Sequence, residues 1–230
     1  MPASTSGRTA QQHPMPFTRV EIAVLSVIDD SLHVLLARRA EAPHAGKWAL
    51  PGGALRIDLD RSLEAAAARV MQERLGLASR FLRQIGAVGG PGRDARSPWA
   101  LSVIYRALLQ AGQAQPAPGK RIEALEWRPV EKAASDKALA FDHAALIAQA
   151  VETTRAEVDR LDLPAGFLPE RFTLTELQNL CAQLLGRRLD KSSFRRRLAE
   201  RGNVEPVDGE TRGGAFRPAQ LYRYVPSRDA

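Results

Sequence analysis

The stretch from Leu50 to Leu77 constrains the fold more than any other part of the chain. Its sequence is LPGGALRIDLDRSLEAAAARVMQERLGL: two glycines follow a short apolar strand, and a loop then leads into a helix. Apolar residues recur along that helix at helical spacing, and Gly76 ends it. The pattern predicts a strand, a Gly-Gly turn, a loop and an amphipathic helix. An ordinary amphipathic helix would explain the periodicity, but not both ends of the pattern together.

This stretch resembles the Nudix box, in which glutamates one turn apart on a helix hold Mg²⁺ against a pyrophosphate. With Gly76 and Leu77 placed on the end of the box, Arg69 falls on the box arginine. Glu73 falls on one of the box glutamates, so it is the one candidate metal ligand that the helix retains. From Gly53 to Leu77 the chain has 25 residues, two more than the box, and the loop is therefore lengthened.

Three acidic positions of the box are lost. Val70 and Arg74 replace two glutamates of the helix, and the earlier box glutamate falls at Arg61. A single carboxylate cannot hold Mg²⁺ as a group of carboxylates does, and Arg74 would repel a divalent cation. These losses argue against hydrolysis. An unusual metal set stays open as an alternative, with Glu73 joined by Asp58 or Asp60 from the altered loop.

Length and charge predict two units and an anionic partner. A chain of 230 residues exceeds the usual size of one domain. The net charge is +7, and residues 186–230 hold eleven Lys or Arg against six Asp or Glu. A basic end of this kind favours nucleic acid, although a merely solvated face would give the same charge. We expect a disordered leader over residues 1–16, an effector-binding domain over 17–160 and a DNA-binding domain over 161–230.

The single cysteine, Cys181, excludes an internal disulfide and suits a reducing cytoplasm. It lies among leucines at helical spacing, which predicts buried filler rather than a reactive thiol. No apolar run is long enough to span a membrane, and the N-terminus lacks the apolar centre of a signal peptide. The four histidines show no ligand spacing. The sequence therefore predicts a cytoplasmic protein that requires no cofactor, with Mg²⁺ needed only for residual hydrolysis.

Around the box, the apolar runs predict a mixed α/β domain. We expect strands over 19–28, 32–37, 48–50, 81–88, 102–109 and 122–127, a loop over 89–99 and a long helix over 141–161. The loops next to this domain's strands carry polar side chains that can bind a phosphate or clamp a polar ligand. For the arginines, an ordinary surface position is the alternative. The candidate ligand-binding residues are Arg38, Arg39, Gly52, Gly53, Arg93 and Asp94.

The C-terminal part predicts a winged helix-turn-helix. Thr173 and Glu176 form a capping-box signature, and the stripe of leucines that follows ends at Gly186. Asp190 can cap a second helix, which Phe194 and Leu198 would dock inward. Its basic and hydroxyl side chains are then left for base edges and phosphates, and two short strands over 203–225 could form a wing. The candidate DNA-binding residues are Arg187, Arg188, Lys191, Ser192, Ser193, Arg195, Arg196, Arg197, Arg201, Arg212, Arg217 and Gln220.

Taken together, the degenerate box and the C-terminal strings FTLTEL, GRRLDKSSFRR and RPAQLYR resemble the NrtR family of Nudix-related transcriptional regulators. The resemblance covers about residues 17–225. It implies a Nudix fold with a mixed sheet between helices, followed by a winged helix-turn-helix. It also implies a homodimer that binds double-stranded operator DNA and senses ADP-ribose or a related nucleotide, often as a repressor of genes for NAD cofactor metabolism.

Three alternatives remain open at this stage. A sugar-responsive regulator would have the same architecture, and some relatives in the family sense sugars. A Mg²⁺-dependent Nudix hydrolase would cleave ADP-ribose-like pyrophosphates. A module that holds protein partners through the basic tail would show no selectivity among DNA sequences.

Overall fold

The computed structural model describes residues 15–78, 82–110, 115–163, 168–213 and 218–225, so most of the expected leader lies outside it. A seven-stranded mixed sheet lies between helices, and a two-stranded sheet with two helices follows. The strands of the first sheet are β1 (Phe17–Ile28), β2 (Ser31–Arg39), β3 (Trp48–Ala49), β4 (Gly52–Ala54), β5 (Leu82–Pro91), β6 (Trp99–Leu109) and β7 (Ile122–Pro129). The helices are α1 (Leu63–Leu75), α2 (Val130–Ser135), α3 (His143–Asp159), α4 (Leu174–Leu185) and α5 (Lys191–Arg201), and β8 (Val204–Arg212) pairs with β9 (Ala219–Tyr224).

Strand β1 is the centre of the large sheet. It pairs in parallel with β6 and antiparallel with β2 and β4. Because side chains alternate along a strand, its residues feed two cores. Val20, Ile22 and Val24 pack with α1, whereas Ala23 and Leu25 belong to the core that also contains α3 and the C-terminal helices. The strand therefore fixes the position of both helix layers.

The two glycines after Pro51 form a strand and not the predicted turn. Neither has a positive φ, and Gly52 and Gly53 pair with Glu21 and Val20 of β1. A Cβ on Gly53 would lie 2.8 Å from Val70 Cγ2, and one on Gly52 would lie 1.7 Å from Glu21 Oε2. These glycines are needed because neighbouring side chains approach the backbone closely, and not because the chain turns.

The predicted loop over 89–99 is shorter than expected. Strand β5 continues to Pro91 and β6 begins at Trp99, so that the two form a hairpin. Gly89 and Gly90 pair with Leu101 and Ala100, and the Trp99 ring lies over Gly89. Glycine and proline signalled a loop, but cross-strand pairing and the covering ring override that local preference. The short helix α2 was not predicted.

The C-terminal elements confirm the predicted caps. Thr173 and Glu176 form both hydrogen bonds of a capping box, and the Asp190 side chain accepts from Ser193 N. Phe194 and Leu198 are buried, as their spacing predicted. Cys181 is also buried, and burial raises the pKa of its thiol to about 12. No helix of the described chain has the length and apolar character needed to cross a membrane.

The two parts of the chain meet along α3. Asn203 Nδ2 donates to Leu161 O at 2.7 Å just beyond that helix, and Arg155 Nε donates to Leu184 O at 3.3 Å. Gln183 Nε2 reaches Asp30 in the turn between β1 and β2 at 2.7 Å. The apolar core is continuous across this junction, because the core of α3 also contains the buried side chains of α4 and α5.

The buried pair of Arg106 and Glu157 holds α3 against the sheet, with 2.6 Å between Nη1 and Oε2. We expect Arg106→Ala to lower the free energy of unfolding by about 3–5 kcal/mol, because it leaves a buried carboxylate without its main partner. Chemical denaturation followed by circular dichroism measures this loss. The matched control is Arg223→Ala, since Arg223 pairs with Glu205 at the surface and should contribute less than about 1 kcal/mol. Equal losses in the two variants would contradict the assignment.

Candidate ligand cleft and nucleic-acid interface

A cleft at the edge of the large sheet collects arginines from distant parts of the chain. It is a narrow cleft, with about 40 Å³ of free space between its side chains. Ala37, Leu50 and Gly52 also line the cleft. One acidic side chain, Glu41, lines the described part of the cleft. The arginines that line it are Arg19, Arg39, Arg74, Arg96 and Arg121.

Arg39 and Arg74 have no carboxylate partner among the described residues, whereas the other three arginines of the cleft, Arg19, Arg96 and Arg121, pair with Glu21, Asp94 and Glu41. Burial lowers the pKa of Arg39, and repulsion from Arg19 and Arg96 lowers it further. Burial also lowers the pKa of Arg74, with Arg121 as the next cause. For Arg19, burial opposes the charge, but the Glu21 carboxylate outweighs it and raises the pKa. Guanidinium groups held close together in this way favour binding of a polyanion such as a pyrophosphate.

An aromatic side chain at the head of α3 borders the arginines. The Phe141 ring lies 5.1 Å from the Arg39 guanidinium carbon and 6.0 Å from that of Arg19. The His44 ring meets it edge to face, with 4.6 Å between centroids. Phe141 has a left-handed φ of 56°, which is uncommon for a bulky residue. The structure thus brings the start of α3 into the cleft.

The residues of the box helix do not fit a Mg²⁺ site. Val70 is buried in the core beneath α1. The Arg74 guanidinium donates to Gly52 O at 3.1 Å and to Lys120 O, and so it places a positive charge in the cleft. Glu73 lies 3.4 Å from Arg69 Nη1. Among the described residues, no group of three or more His, Cys, Asp or Glu side chains could hold a metal ion.

Asp60 is held by the box arginine, Arg69. Arg69 Nε and Nη2 each donate to the Asp60 carboxylate at 2.7 Å, and this hydrogen bonding lowers the pKa of Asp60. Asp58 pairs with Arg56 at 3.1 Å. The two aspartates considered as replacement ligands are therefore held by arginines and do not join Glu73.

A second, smaller cavity shares Arg19 with this cleft. Arg93 and Asp94 lie in its wall, where the sequence predicted a ligand clamp. Arg93 donates to the Asp142 carboxylate at 2.6 and 2.9 Å, just before α3. Asp94 accepts from Arg96, and that hydrogen bond is the main reason why its pKa falls to about 2.

Not every candidate ligand residue faces the cleft. Arg39 and Gly52 line it, but Arg38 turns away, donating to Gly46 O and pairing with Glu123. Gly53 is buried against Val70. Sequence reasoning missed Arg19, Arg96 and Arg121. A signal was available for Arg19, since a charged residue inside an apolar strand requires a buried partner or a ligand.

The candidate nucleic-acid interface is the outer face of α5. Phe194 and Leu198 anchor the helix, and Lys191, Ser192, Arg195 and Arg196 are exposed on it. The spacing leaves basic and hydroxyl side chains together on one side, as a recognition helix requires. Arg188, in the turn before α5, and Arg201, at the end of α5, are also exposed.

Several of the other predicted DNA-binding side chains are engaged within the protein. Arg197 donates to Asp159 O at the end of α3, so it lies on the docking side of α5, because residues 194, 197 and 198 share one face. Arg187 pairs with the Asp159 carboxylate. Arg212 pairs with Glu176. Ser193 is half-buried in the first turn of α5, and the Gln220 amide donates to three carbonyls of the wing; Arg217 lies outside the described residues.

The wing is tied to the first helix of its domain. Phe172, just before α4, exchanges two backbone hydrogen bonds with Tyr222, at 3.0 and 2.8 Å. Strands β8 and β9 then extend to Arg212 and Ala219. The small sheet is therefore fixed to the start of α4 and follows α5 in the chain, as in a winged helix.

Two domain families match the chain. The NUDIX domain matches residues 17–150, and the NrtR DNA-binding winged helix domain matches residues 164–224. A relative from Acinetobacter baylyi, the ADPR responsive transcriptional repressor NtrR, is 39% identical over 213 residues. That match covers 93% of this chain and 84% of the relative.

Solved structures agree with these matches. The crystal structure of Shewanella oneidensis NrtR complexed with a 27mer DNA has a TM-score of 0.71 and 32% identity, over 91% of this chain and 94% of that chain. The NUDIX domain of the same protein in complex with ADP ribose has a TM-score of 0.56 and 31% identity, over 61% of this chain and 90% of that chain. The two parts of the fold are thus those that the sequence predicted.

The protonation of His143 as a function of pH tests its buried position beside the cleft. It is fully buried, its Nδ1 accepts from Leu50 N at 2.8 Å, and burial is the main reason why its pKa falls to about 4. The unfolded chain binds the proton near the ordinary value of about 6.5, so stability that is present above that pH is lost as pH falls toward 4. We expect the His143 ring to stay neutral at pH 5.5 by NMR. Loss of its resonance in His143→Gln assigns the signal, and a charged ring at that pH would contradict the buried position.

Proposed function

Because the chain belongs to the NrtR family of Nudix-related transcriptional regulators, we infer that it is an ADP-ribose-responsive repressor that binds operator DNA. The observation that carries this proposal is the joint presence of an arginine-lined cleft and an exposed basic helix in one chain. ADP-ribose contains a pyrophosphate, which suits the guanidinium groups of the cleft. The relatives that bind ADP ribose and DNA support the same assignment.

The site favours binding over hydrolysis. Activating water for attack on a pyrophosphate in a Nudix site takes a metal held by several carboxylates, and of the box positions on α1 only Glu73 keeps one, beside Arg69 and Arg74. We therefore propose that the protein requires no metal cofactor. Its proposed targets are genes of NAD cofactor metabolism. A sugar ligand is disfavoured because Arg39 and Arg74 bring positive charge to the cleft without a carboxylate partner among the described residues, which favours an anion.

Release of repression by the ligand would follow from linkage between the two sites. ADP-ribose in the cleft favours one arrangement of the protein and operator DNA favours another, so that each weakens the binding of the other. We propose that the DNA-binding form is a cytoplasmic homodimer. Two recognition helices would then read half-sites about 34 Å apart, or a multiple of that distance.

DNA binding should depend on the exposed arginines of α5. We expect Arg195→Ala combined with Arg196→Ala to weaken operator binding at least roughly tenfold, because each arginine contributes a phosphate or base contact. If both contact phosphates, the slope of log affinity against log salt should become shallower by about 2. Fluorescence anisotropy with the upstream region of the gene measures both. The control is Arg61→Ala, which removes an exposed arginine from the box loop. Unchanged binding in the double variant would contradict the proposed interface.

Arg39 and Arg38 are adjacent, but only Arg39 lines the cleft. We expect Arg39→Ala to weaken ADP-ribose binding at least roughly tenfold, since it removes a charge-assisted hydrogen bond from the ligand. Operator affinity without nucleotide should stay unchanged. Isothermal titration calorimetry and the DNA titration together measure these effects. Arg38→Ala is the matched control, and equal losses in the two variants would contradict the location of the ligand.

Hydrolysis provides the test against the enzyme alternative. Incubation of ADP-ribose with the protein and Mg²⁺ or Mn²⁺ should release no AMP above the rate without protein, because the metal-binding carboxylates are missing. Chromatography of the products measures this. AMP release that disappears in Glu73→Gln would establish the hydrolase and contradict the proposed absence of catalysis.

A further inference from the structure

Glu21 carries a buried oxygen that the protein leaves unused. The side chain is 1% exposed, and its Oε1 accepts from Arg19 Nε at 2.6 Å. Its other oxygen, Oε2, has no hydrogen-bond partner among the described residues. An ionised carboxylate oxygen without a partner in a protein interior is costly, and the great majority of buried polar atoms have one. Such an atom next to a cleft indicates a place for a donor.

The position of Glu21 connects the two cavities. Its side chain lines the smaller one, together with Ser102 and Phe141. Its Oε2 lies directly beside Gly52, which lines the arginine cleft. The carboxylate therefore lies between the arginine cleft and the smaller cavity. A ligand whose phosphates meet the arginines has its adjoining sugar within reach of this partition.

Neighbouring protein donors do not satisfy Oε2. His143 accepts from Leu50 N through Nδ1, so its neutral ring carries the proton on Nε2. That nitrogen lies 4.0 Å from Glu21 Oε2, too far for a hydrogen bond. Oε2 is closed off from water, and the large apolar side chain in the wall of the same cavity is Phe141. A ligand group that reaches Oε2 must therefore displace part of this wall.

We propose that Glu21 is a specificity residue of the cleft, and that its Oε2 accepts a hydrogen bond from the terminal ribose or from the 2′-hydroxyl of the adenosine ribose of the bound nucleotide. This proposal rests on the proposed function, because it assumes a nucleotide diphosphate on the arginines. A carboxylate at this point repels a further phosphate and accepts from a neutral hydroxyl. Glu21 would thus distinguish a free ribose from a phosphorylated one and from a ligand without the hydroxyl.

The experiment compares three ligands on the full-length protein by calorimetry. ADP lacks the terminal ribose of ADP-ribose, and 2′-deoxy-ADP lacks a hydroxyl of the adenosine ribose. In the wild type, we expect a preference of about tenfold or more for the ligand that carries the contacted hydroxyl, since hydrogen bonds to charged groups are strong. In Glu21→Gln, which presents an amide to the hydroxyl, we expect that preference to fall to about twofold or less.

The ratios of the affinities for ADP-ribose and ADP, and for ADP and 2′-deoxy-ADP, identify the donor. A reduced preference for ADP-ribose over ADP places the terminal ribose at Glu21, and a reduced preference for ADP over 2′-deoxy-ADP places the adenosine ribose there. A purely structural role for Glu21 would weaken all three ligands equally and leave both ratios unchanged. Glu123→Gln is the matched control, because it removes the same charge outside the cleft, where Glu123 pairs with Arg38. It should change neither ratio.

The wild type alone already tests the proposal, even where Glu21→Gln fails to fold. A wild-type protein that binds all three nucleotides equally has no hydroxyl contact of this strength, and the proposal is then wrong while the proposed function stands. A wild-type protein that binds none of the nucleotides removes the proposed function itself. Unchanged ratios in a folded Glu21→Gln variant also overturn the role of Glu21.

Discussion

The close contact between the Glu21 carboxylate and the Gly52 backbone is the interaction on which the cleft depends. The two residues face each other across β1 and β4, and any side chain at position 52 would meet Oε2 at 1.7 Å. With that space filled, Glu21 can hold Arg19 through its other oxygen, and Gly52 O can accept from Arg74. Two arginines from distant segments are thereby fixed beside one another. The glycine is required by packing, and its neighbour determines where the positive charges lie.

Arg74 stands where the box has a glutamate, so the positive charge that a bound Mg²⁺ would supply comes from a guanidinium instead. A bound Mg²⁺ neutralises a pyrophosphate and also orients the water that attacks it. Arg74 supplies a fixed positive charge and can do only the first. Asp60 and Glu73 remain near α1, but Arg69 engages both. The site therefore keeps positive charge for an anion, and its described residues offer no group of carboxylates for a metal, which fits the sensor that we propose.

Local signals in the sequence predicted most of the elements, whereas the cleft required contacts between distant segments. The capping box at Thr173 and the cap at Asp190 act within three residues, so the sequence alone reveals them. Arg96 and Arg121 reach the cleft only because the strands next to them are placed by sheet pairing. The ion pair of Asp60 and Arg69 likewise needs a long-range approach: Arg56 and Asp60 close a turn in the box loop, which brings Asp60 to Arg69 of α1.

Helix α3 joins the cleft to the DNA-binding domain, and this explains how one site could influence the other. Its first turn lies at the cleft, where Asp142 holds Arg93 and Phe141 borders the arginines. At its other end, Asp159 pairs with Arg187 and accepts from Arg197 of α5. A ligand can shift an equilibrium only by its difference in affinity for the two states. If a ribose displaces Phe141 to reach Glu21, the state that it favours differs at the head of α3. If DNA binds Arg187, it favours a state in which Asp159, at the C-terminal end of α3, loses this partner. The two ligands would then act on opposite ends of α3, and the contacts at these ends give a physical basis for the antagonism that we propose.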